Sequence, residues 1–226
     1  MGVTTMKILA ISDPHGNYSK INDLLKLDML QNIDMVLIAG DITDFGPDYK
    51  AIELIKMFTV PVIAVPGNCD NRGIIEVLNS SKAINLHNNF ITIENLTLIG
   101  FGGSNPTPFN TPFEMDEDEI EQCLKELLKI VEKSPENNIK LLLTHAPPYE
   151  TLDEINIGHV GSRAIKKFVD YMDIVVCAHI HEARGVMKVG DTTIVNPGMA
   201  CHGYAALIEL SKPNQKRTVN VELIQA

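Results

Sequence analysis

Residues 6–17 read Met6-Lys7-Ile8-Leu9-Ala10-Ile11-Ser12-Asp13-Pro14-His15-Gly16-Asn17, an apolar run that breaks off into polar residues, and the rest of the chain is legible from it. The aliphatic run predicts a buried strand. Beyond its end, Asp13 and His15 are two apart, so in an extended segment they project to one side while Pro14 restricts the backbone between them. A carboxylate and an imidazole so placed make a two-donor metal clip; the plainer alternative is a polar turn in which Asp13 caps a helix. Partners at other strand ends decide between them.

Outward from that strand the pattern repeats. Ser19–Leu30 carries Ile21, Leu24, Leu25 and Leu27 at helical spacing, and Asp34–Ala39 is a buried strand ending in Gly40-Asp41. Tyr49–Phe58 is again helical, and Val60–Val65 is a strand ending in Pro66-Gly67-Asn68-Cys69-Asp70. Such β-α alternation, with polar groups at each carboxyl end, predicts a parallel sheet whose ligands collect along one edge. Arg72–Asn79 reads as a short helix and Phe90–Gly100 as two strands about a Glu94-Asn95 turn. Gly102–Phe113 is a Gly/Pro/Asn-rich loop, long enough to cover a site or merely to cross the surface. Asp116–Glu119 opens a helix running to about Lys133 and complements its dipole. Leu141–Thr144 is a strand ending at His145. Ser162–Tyr171 is amphipathic, and Asp173–Ala178 is a strand ending in His179-Ile180-His181. The remaining segments 185–189, 192–195, 204–210 and 217–224 read as strands. No repeat or linker intervenes, so residues 1–226 are expected to form a single domain.

An apolar content of 45% and a charged content of 21% are those of an ordinary globular chain, and no run approaches the ~18 apolar residues a membrane span needs. With no signal-type N-terminus, a cytoplasmic location is expected. Cys69, Cys123, Cys177 and Cys201 show no metal-knuckle spacing and are expected to be reduced. A net charge of −10 argues against general nucleic-acid binding, which rests on neutralising phosphates, but leaves small anions open where cations reverse the sign locally. Oligomeric state is not readable.

Asp13, His15, Asp41, Asn68, His145, His179 and His181 therefore stand at five strand ends. In this order, Asp13-Pro14-His15, Gly40-Asp41, Gly67-Asn68-Cys69-Asp70, His145 and Ala178-His179-Ile180-His181 resemble the motifs of the calcineurin-like metallophosphoesterase superfamily, with GNCD in place of GNH[DE]. The resemblance spans residue 6 to about 210. It implies an α/β fold of two packed mixed β-sheets flanked by helices, a four-layer α/β/β/α sandwich. It also implies two divalent transition-metal ions, of Mn, Fe, Zn, Ni or Co, with Asp13, His15 and His181 on one, Asn68, His145 and His179 on the other, and Asp41 shared. The implied function is hydrolysis of a small phosphate ester by a metal-bridging hydroxide, with Asp41, Asn68, Asp70 and His145 in the catalytic set and Asp70 orienting a neighbour. Asn17 and Arg72 could bind a substrate phosphate or serve at the surface or as caps. His159 and His202 could contact substrate or move a proton, or simply pack. The Gly158–Ser162 segment precedes a helix whose N-terminus could bind an anion.

Two departures from the motifs stand out. Ala178 replaces a Gly, which matters only if φ > 0 is required there. Cys69 replaces a His that in many relatives assists the leaving oxygen; a neutral thiol is a poorer acid near neutral pH, which favours phosphodiesters with acidic leaving groups over monoesters. The alternative reading is a catalytically silent scaffold of the same fold that binds proteins. A nuclease acting on DNA ends would be expected to show basic surface and extra domains.

Overall fold

The computed structural model describes residues 5–213 and 217–226. In chain order the elements are β1 (Thr5–Ile11), α1 (Ser19–Leu24), β2 (Met35–Ala39), α2 (Lys50–Lys56), β3 (Val62–Val65), α3 (Ile74–Ser80), β4 (Ile84–Asn85), β5 (Asn89–Ile93), β6 (Leu96–Phe101) and α4 (Glu117–Lys133). They continue with β7 (Ile139–Thr144), β8 (Glu154–Ile155), β9 (Gly158–His159), α5 (Arg163–Lys166), β10 (Ile174–Val176), β11 (Gly185–Val189), β12 (Thr192–Asn196), β13 (Tyr204–Ser211) and β14 (Val219–Gln225).

Two six-stranded sheets result, ordered β14-β13-β1-β2-β3-β4 and β11-β12-β10-β7-β6-β5, with β8 and β9 as a separate hairpin. Both are mixed. Strands β1 to β4 run parallel while β13 and β14 join antiparallel, and β6, β7, β10 and β12 run parallel between antiparallel β5 and β11. Period-two alternation explains the layering: Met6, Ile8 and Ala10 of β1 face the other sheet, whereas Leu9 and Ile11 face α1 and α2. Leu37 and Ala39 of β2, Leu141 and Leu143 of β7, and Val176 of β10 complete the dry layer between the sheets. On the far side Ile120, Leu124, Leu127 and Val131 of α4 pack with Leu142 and Val175. At about 1.5–3 kcal/mol for each fully buried Leu or Ile, the central layer fixes one sheet on the other and brings the carboxyl ends of β1, β2, β3, β7 and β10 together.

Two expected helices are shorter than the sequence suggests. The 19–30 segment is helical only to Leu24 and then tightens to a 3₁₀ turn at Asp28–Leu30, because the chain must come back to place the Asp34 N–H on the Lys7 carbonyl. The 162–171 segment is a one-turn α5 followed by a 3₁₀ turn at Val169–Tyr171, which lets the consecutive residues Phe168 and Val169 both be buried. Among the described residues no helix is long and apolar enough to cross a membrane.

Candidate metal centre

Five strand ends deliver side chains to one place, and the backbone is strained to do so. Asp13, His15, Asp41 and His179 all have positive φ, at 50°, 45°, 48° and 70°, a region that costs an ordinary L-residue roughly 1 kcal/mol or more. His179 is the centre of a tight turn in which the Ile180 N–H donates to the Ala178 carbonyl at 2.8 Å. Ala178 itself is not among the positive-φ residues, so its methyl is accommodated where relatives place Gly. Glycine is required at Gly67 instead, where a Cβ would lie 2.1 Å from the Asp41 carboxylate.

Among the described residues three groups hold ligand-type atoms within 4.8 Å of one another: Asp13, His15 and His181; Asp13, Asp41 and His145; and His15, Asp41 and Cys69. Their spacing is not that of a satisfied hydrogen-bond network. His15 Nε2 lies 3.5 Å from His181 Nε2 and 3.6 Å from Asp41 Oδ2, His145 Nε2 lies 3.5 Å from Asp41 Oδ1, and His181 Nε2 lies 3.6 Å from Asp13 Oδ1. Donors bound ~2.0–2.2 Å from a common ion leave gaps of about this size between them. Asp13 is buried, and among the described residues neither of its carboxylate oxygens has a hydrogen-bond partner, which would be costly unless a cation joins it. The residues present therefore fit divalent metal.

The imidazoles are prepared for the same role. His145 Nδ1 lies 2.8 Å from the Ala39 carbonyl, which can only accept, so the proton sits on Nδ1 and the Nε2 lone pair faces Asn68 Oδ1 at 2.8 Å. Burial pushes His179 down to about 3 and keeps it neutral; its ring stands edge-on to His145 with centroids 5.1 Å apart. Asp13 beside it pushes His181 up, so the local field favours positive charge there. Burial works to raise Asp13, and His181 acts against it, so this carboxylate is held below its usual range.

Asp70 is not aimed at the cluster. Its Oδ2 accepts from the Ile42 and Gly67 N–H groups at 3.0 and 2.8 Å, and its Oδ1 from the Thr43 N–H and hydroxyl at 2.7 and 2.9 Å, tying the end of β2 to the end of β3. Burial and then the Asp41 charge push it up to about 7 against these donors, and a cation on Asp41 would remove the second push. Cys69 donates its N–H to Asp41 Oδ1 at 2.8 Å; burial, then Asp41, push its thiol up, so the sulfur is neutral at physiological pH.

The remaining candidates are placed differently. Asn17 Oδ1 accepts from the Ser19 N–H and hydroxyl just ahead of α1. Arg72 donates to the Glu114 carbonyl at 3.0 Å and lies 4.7 Å over the Phe113 ring, bracing the 102–113 loop. His159 Nδ1 is 2.7 Å from Asp153, and His202 packs edge-on against Tyr204; neither belongs to the three groups. The expected anion site ahead of α5 is corrected: that helix is four residues long, and its first amides are already met by Glu117, which accepts from the Arg163 and Ala164 N–H groups and the Ser162 hydroxyl.

The 102–113 loop does reach the centre. The Phe113 N–H donates to the Asn68 carbonyl, and Asn68 Nδ2 donates to Thr111 Oγ1 at 3.0 Å. Thr111 and Glu114 were not singled out by sequence, since nothing in their spacing announces a partner 43 residues away. At the loop's root the Gly102 N–H donates to His87 Nδ1 at 3.0 Å, and burial, then Arg72, push His87 down to about 4. A folded-state value below the ordinary ~6.5 means the stability this ring supports is complete above pH ~6.5 and is lost as pH falls toward 4. NMR titration is expected to show His87 neutral until about pH 4; a native midpoint near 6.5 would refute the burial argument.

Fold and centre together define a metallophosphoesterase class, and residues 6–183 match the model of the calcineurin-like phosphoesterases. The chain belongs to the calcineurin-like phosphoesterase family, whose members typically bind divalent metals. An uncharacterized protein of Methanocaldococcus jannaschii is 38% identical over 207 residues, covering 86% of this chain and 89% of that one. A UPF0046 protein of Caenorhabditis elegans is 25% identical over 230 residues, covering 89% and 72%. Among solved structures, TT1561 of Thermus thermophilus superposes with a TM-score of 0.67 at 19% identity, covering 96% and 99%. The phosphopantetheinyl hydrolase of Mycobacterium tuberculosis gives 0.56 at 13%, covering 88% and 91%. At these identities the structures speak for the fold.

Proposed function

We propose that this chain is a metal-dependent hydrolase of a small phosphodiester. In this reading Asp13, His15 and His181 hold one divalent ion, Asn68, His145 and His179 hold a second, and Asp41 serves both. The observation that carries it is the buried Asp13 carboxylate, whose two oxygens have no hydrogen-bond partner among the described residues, with His181 Nε2 3.6 Å away and His15 and His145 nitrogens within 4.8 Å. Two such ions, when bound, lower the pKa of a water and offset charge on the attacking and leaving oxygens. The chain's own residues supply the frame. Ala39 fixes the His145 tautomer, and Asp70 locks the two loops that present Asp41 and Asn68. All-oxygen-and-nitrogen donors suit Mn, Fe, Zn, Ni or Co, and no thiolate is needed.

Cys69 shapes the substrate preference. A neutral thiol beside Asp41 carries no positive charge for a departing alkoxide, so esters with acidic leaving groups are favoured. Chelated protein reloaded with Mn²⁺, Ni²⁺, Co²⁺ or Zn²⁺ is expected to hydrolyse an activated aryl phosphodiester. Its kcat/KM should depend steeply on leaving-group pKa, and Cys69→His should flatten that dependence. No turnover above the chelated control with any of the four metals would move the balance to a silent scaffold. A shallow slope unchanged by Cys69→His would make the thiol a bystander.

A further inference from the structure

Asn68 is a proposed ligand whose useful atom depends on which way a symmetric-looking group is turned. Its amide oxygen can bind a cation and its NH₂ cannot, yet the two ends differ little in size. In the structure this choice is made by a chain of hydrogen bonds that starts outside the motifs. Glu114 Oε1 accepts from Thr107 Oγ1 at 2.5 Å, from the Thr111 N–H at 2.8 Å and from Thr111 Oγ1 at 2.6 Å.

A carboxylate only accepts, so the single hydroxyl proton of Thr111 is committed to Glu114. Thr111 Oγ1 is then left with lone pairs alone and must accept from Asn68, which it does from Nδ2 at 3.0 Å. Oδ1 is thereby turned toward His145 Nε2, 2.8 Å away. That nitrogen is also an acceptor, because the ring carries its proton on Nδ1, which donates a hydrogen bond to the Ala39 carbonyl. Two lone pairs thus face each other across the centre, an arrangement that favours a shared cation. With the amide reversed, NH₂ would donate to His145 Nε2, the lone pairs would be consumed and the ligand atom would point away.

We propose that Glu114, acting through Thr111, is the positioning residue that keeps the Asn68 carbonyl oxygen turned into the metal centre and stops the amide from hydrogen-bonding to His145 instead. This rests on the assignment of Asn68 as a ligand made above. Glu114→Gln removes the obligate acceptor, freeing the Thr111 hydroxyl to donate to a reversed amide. Thr111→Val removes the Thr111 link and leaves Asn68 Nδ2 only its longer contact to Cys69 Sγ at 3.6 Å. The backbone brace from Arg72 to the Glu114 carbonyl involves no Glu114 side-chain atom, so it is available in both Glu114→Gln and wild type.

The test is Mn²⁺ binding to the chelated protein, followed by calorimetry and by the EPR signal of free ion. Glu114→Gln and Thr111→Val are each expected to weaken one class of site by roughly 10–100-fold, the range typical of lost outer-shell partners, and to leave the other class unchanged. Thr111→Ser, which keeps the hydroxyl, is expected to restore wild-type binding. A second readout needs no metal: in the apo protein, ¹⁵N NMR should show His145 Nε2 acquiring a hydrogen bond in Glu114→Gln. Should Thr111→Val fail to fold, Glu114→Gln decides alone. Wild-type affinities for both ions in Glu114→Gln, or no recovery in Thr111→Ser, overturn the positioning role. If Asn68→Ala binds both ions as wild type does, or wild type binds none, the ligand assignment itself is overturned.

Discussion

Replacing Asp41 by Ala is expected to lower kcat/KM for an aryl phosphodiester by at least roughly a thousandfold and to strip metal from both sites together. Asp41, like Asp13, falls in two of the three ligand groups, and its two oxygens face histidines assigned to different ions, Oδ1 toward His145 and Oδ2 toward His15. Removing any terminal donor should weaken one ion, and His181→Ala is the natural comparison. Asp41 also accepts the Cys69 N–H, so Asp41→Asn, which retains an oxygen at that position, separates loss of metal from loss of the local fold. Metal content by elemental analysis and secondary structure by circular dichroism should be read alongside the rate. Two tightly held ions in Asp41→Ala would show that this residue does not bridge.

The second large effect is on stability. Asp70→Ala leaves the N–H groups of Ile42, Thr43 and Gly67 and the Thr43 hydroxyl without their acceptor in a buried position, a loss of about 3–5 kcal/mol. For a chain of this size that corresponds to a fall in Tm on the order of 10 °C. The isosteric Asp70→Asn should be nearly as damaging. Both carboxylate oxygens take backbone N–H donors, so an amide would have to present its own NH₂ to one of them. Thermal unfolding of Asp70→Asn within about 1 kcal/mol of wild type would mean that one oxygen of Asp70 suffices.

Those two residues also mark how far sequence carries. Asp41, Asp13, His15 and the histidines after β7 and β10 are legible because a strand's end is a local event: an apolar run stops, and the next polar residues must project from the sheet edge. The pairing of two mixed sheets followed from the family resemblance rather than from periodicity. Roles set by segments far apart in sequence were out of reach. Glu117 looked like a complement to its own helix dipole, yet its carboxylate spans 47 residues to meet the Ala164 N–H. Thr111 and Glu114 belong to a loop that could equally have crossed open surface until its contact with Asn68 was seen. The β8–β9 hairpin escaped because two-residue strands carry no alternation to read. Helices α1 and α5 were overextended for the opposite reason: helical spacing persists past the point where the backbone has to turn back to the sheet.

The left-handed backbone at Asp13, His15, Asp41 and His179 bears on how this protein can be engineered. A thermostabilising campaign that scores substitutions by backbone preference will rank Gly or Asn at these positions among its most profitable changes, each relieving roughly 1 kcal/mol or more of conformational strain. Three of the proposed carboxylate and imidazole donors of one ion or its bridge, and one of the other, would be discarded by the same filter. Stability libraries for this scaffold should therefore hold those four codons fixed, and a variant that gains heat resistance through any of them should be assayed for metal before it is carried forward.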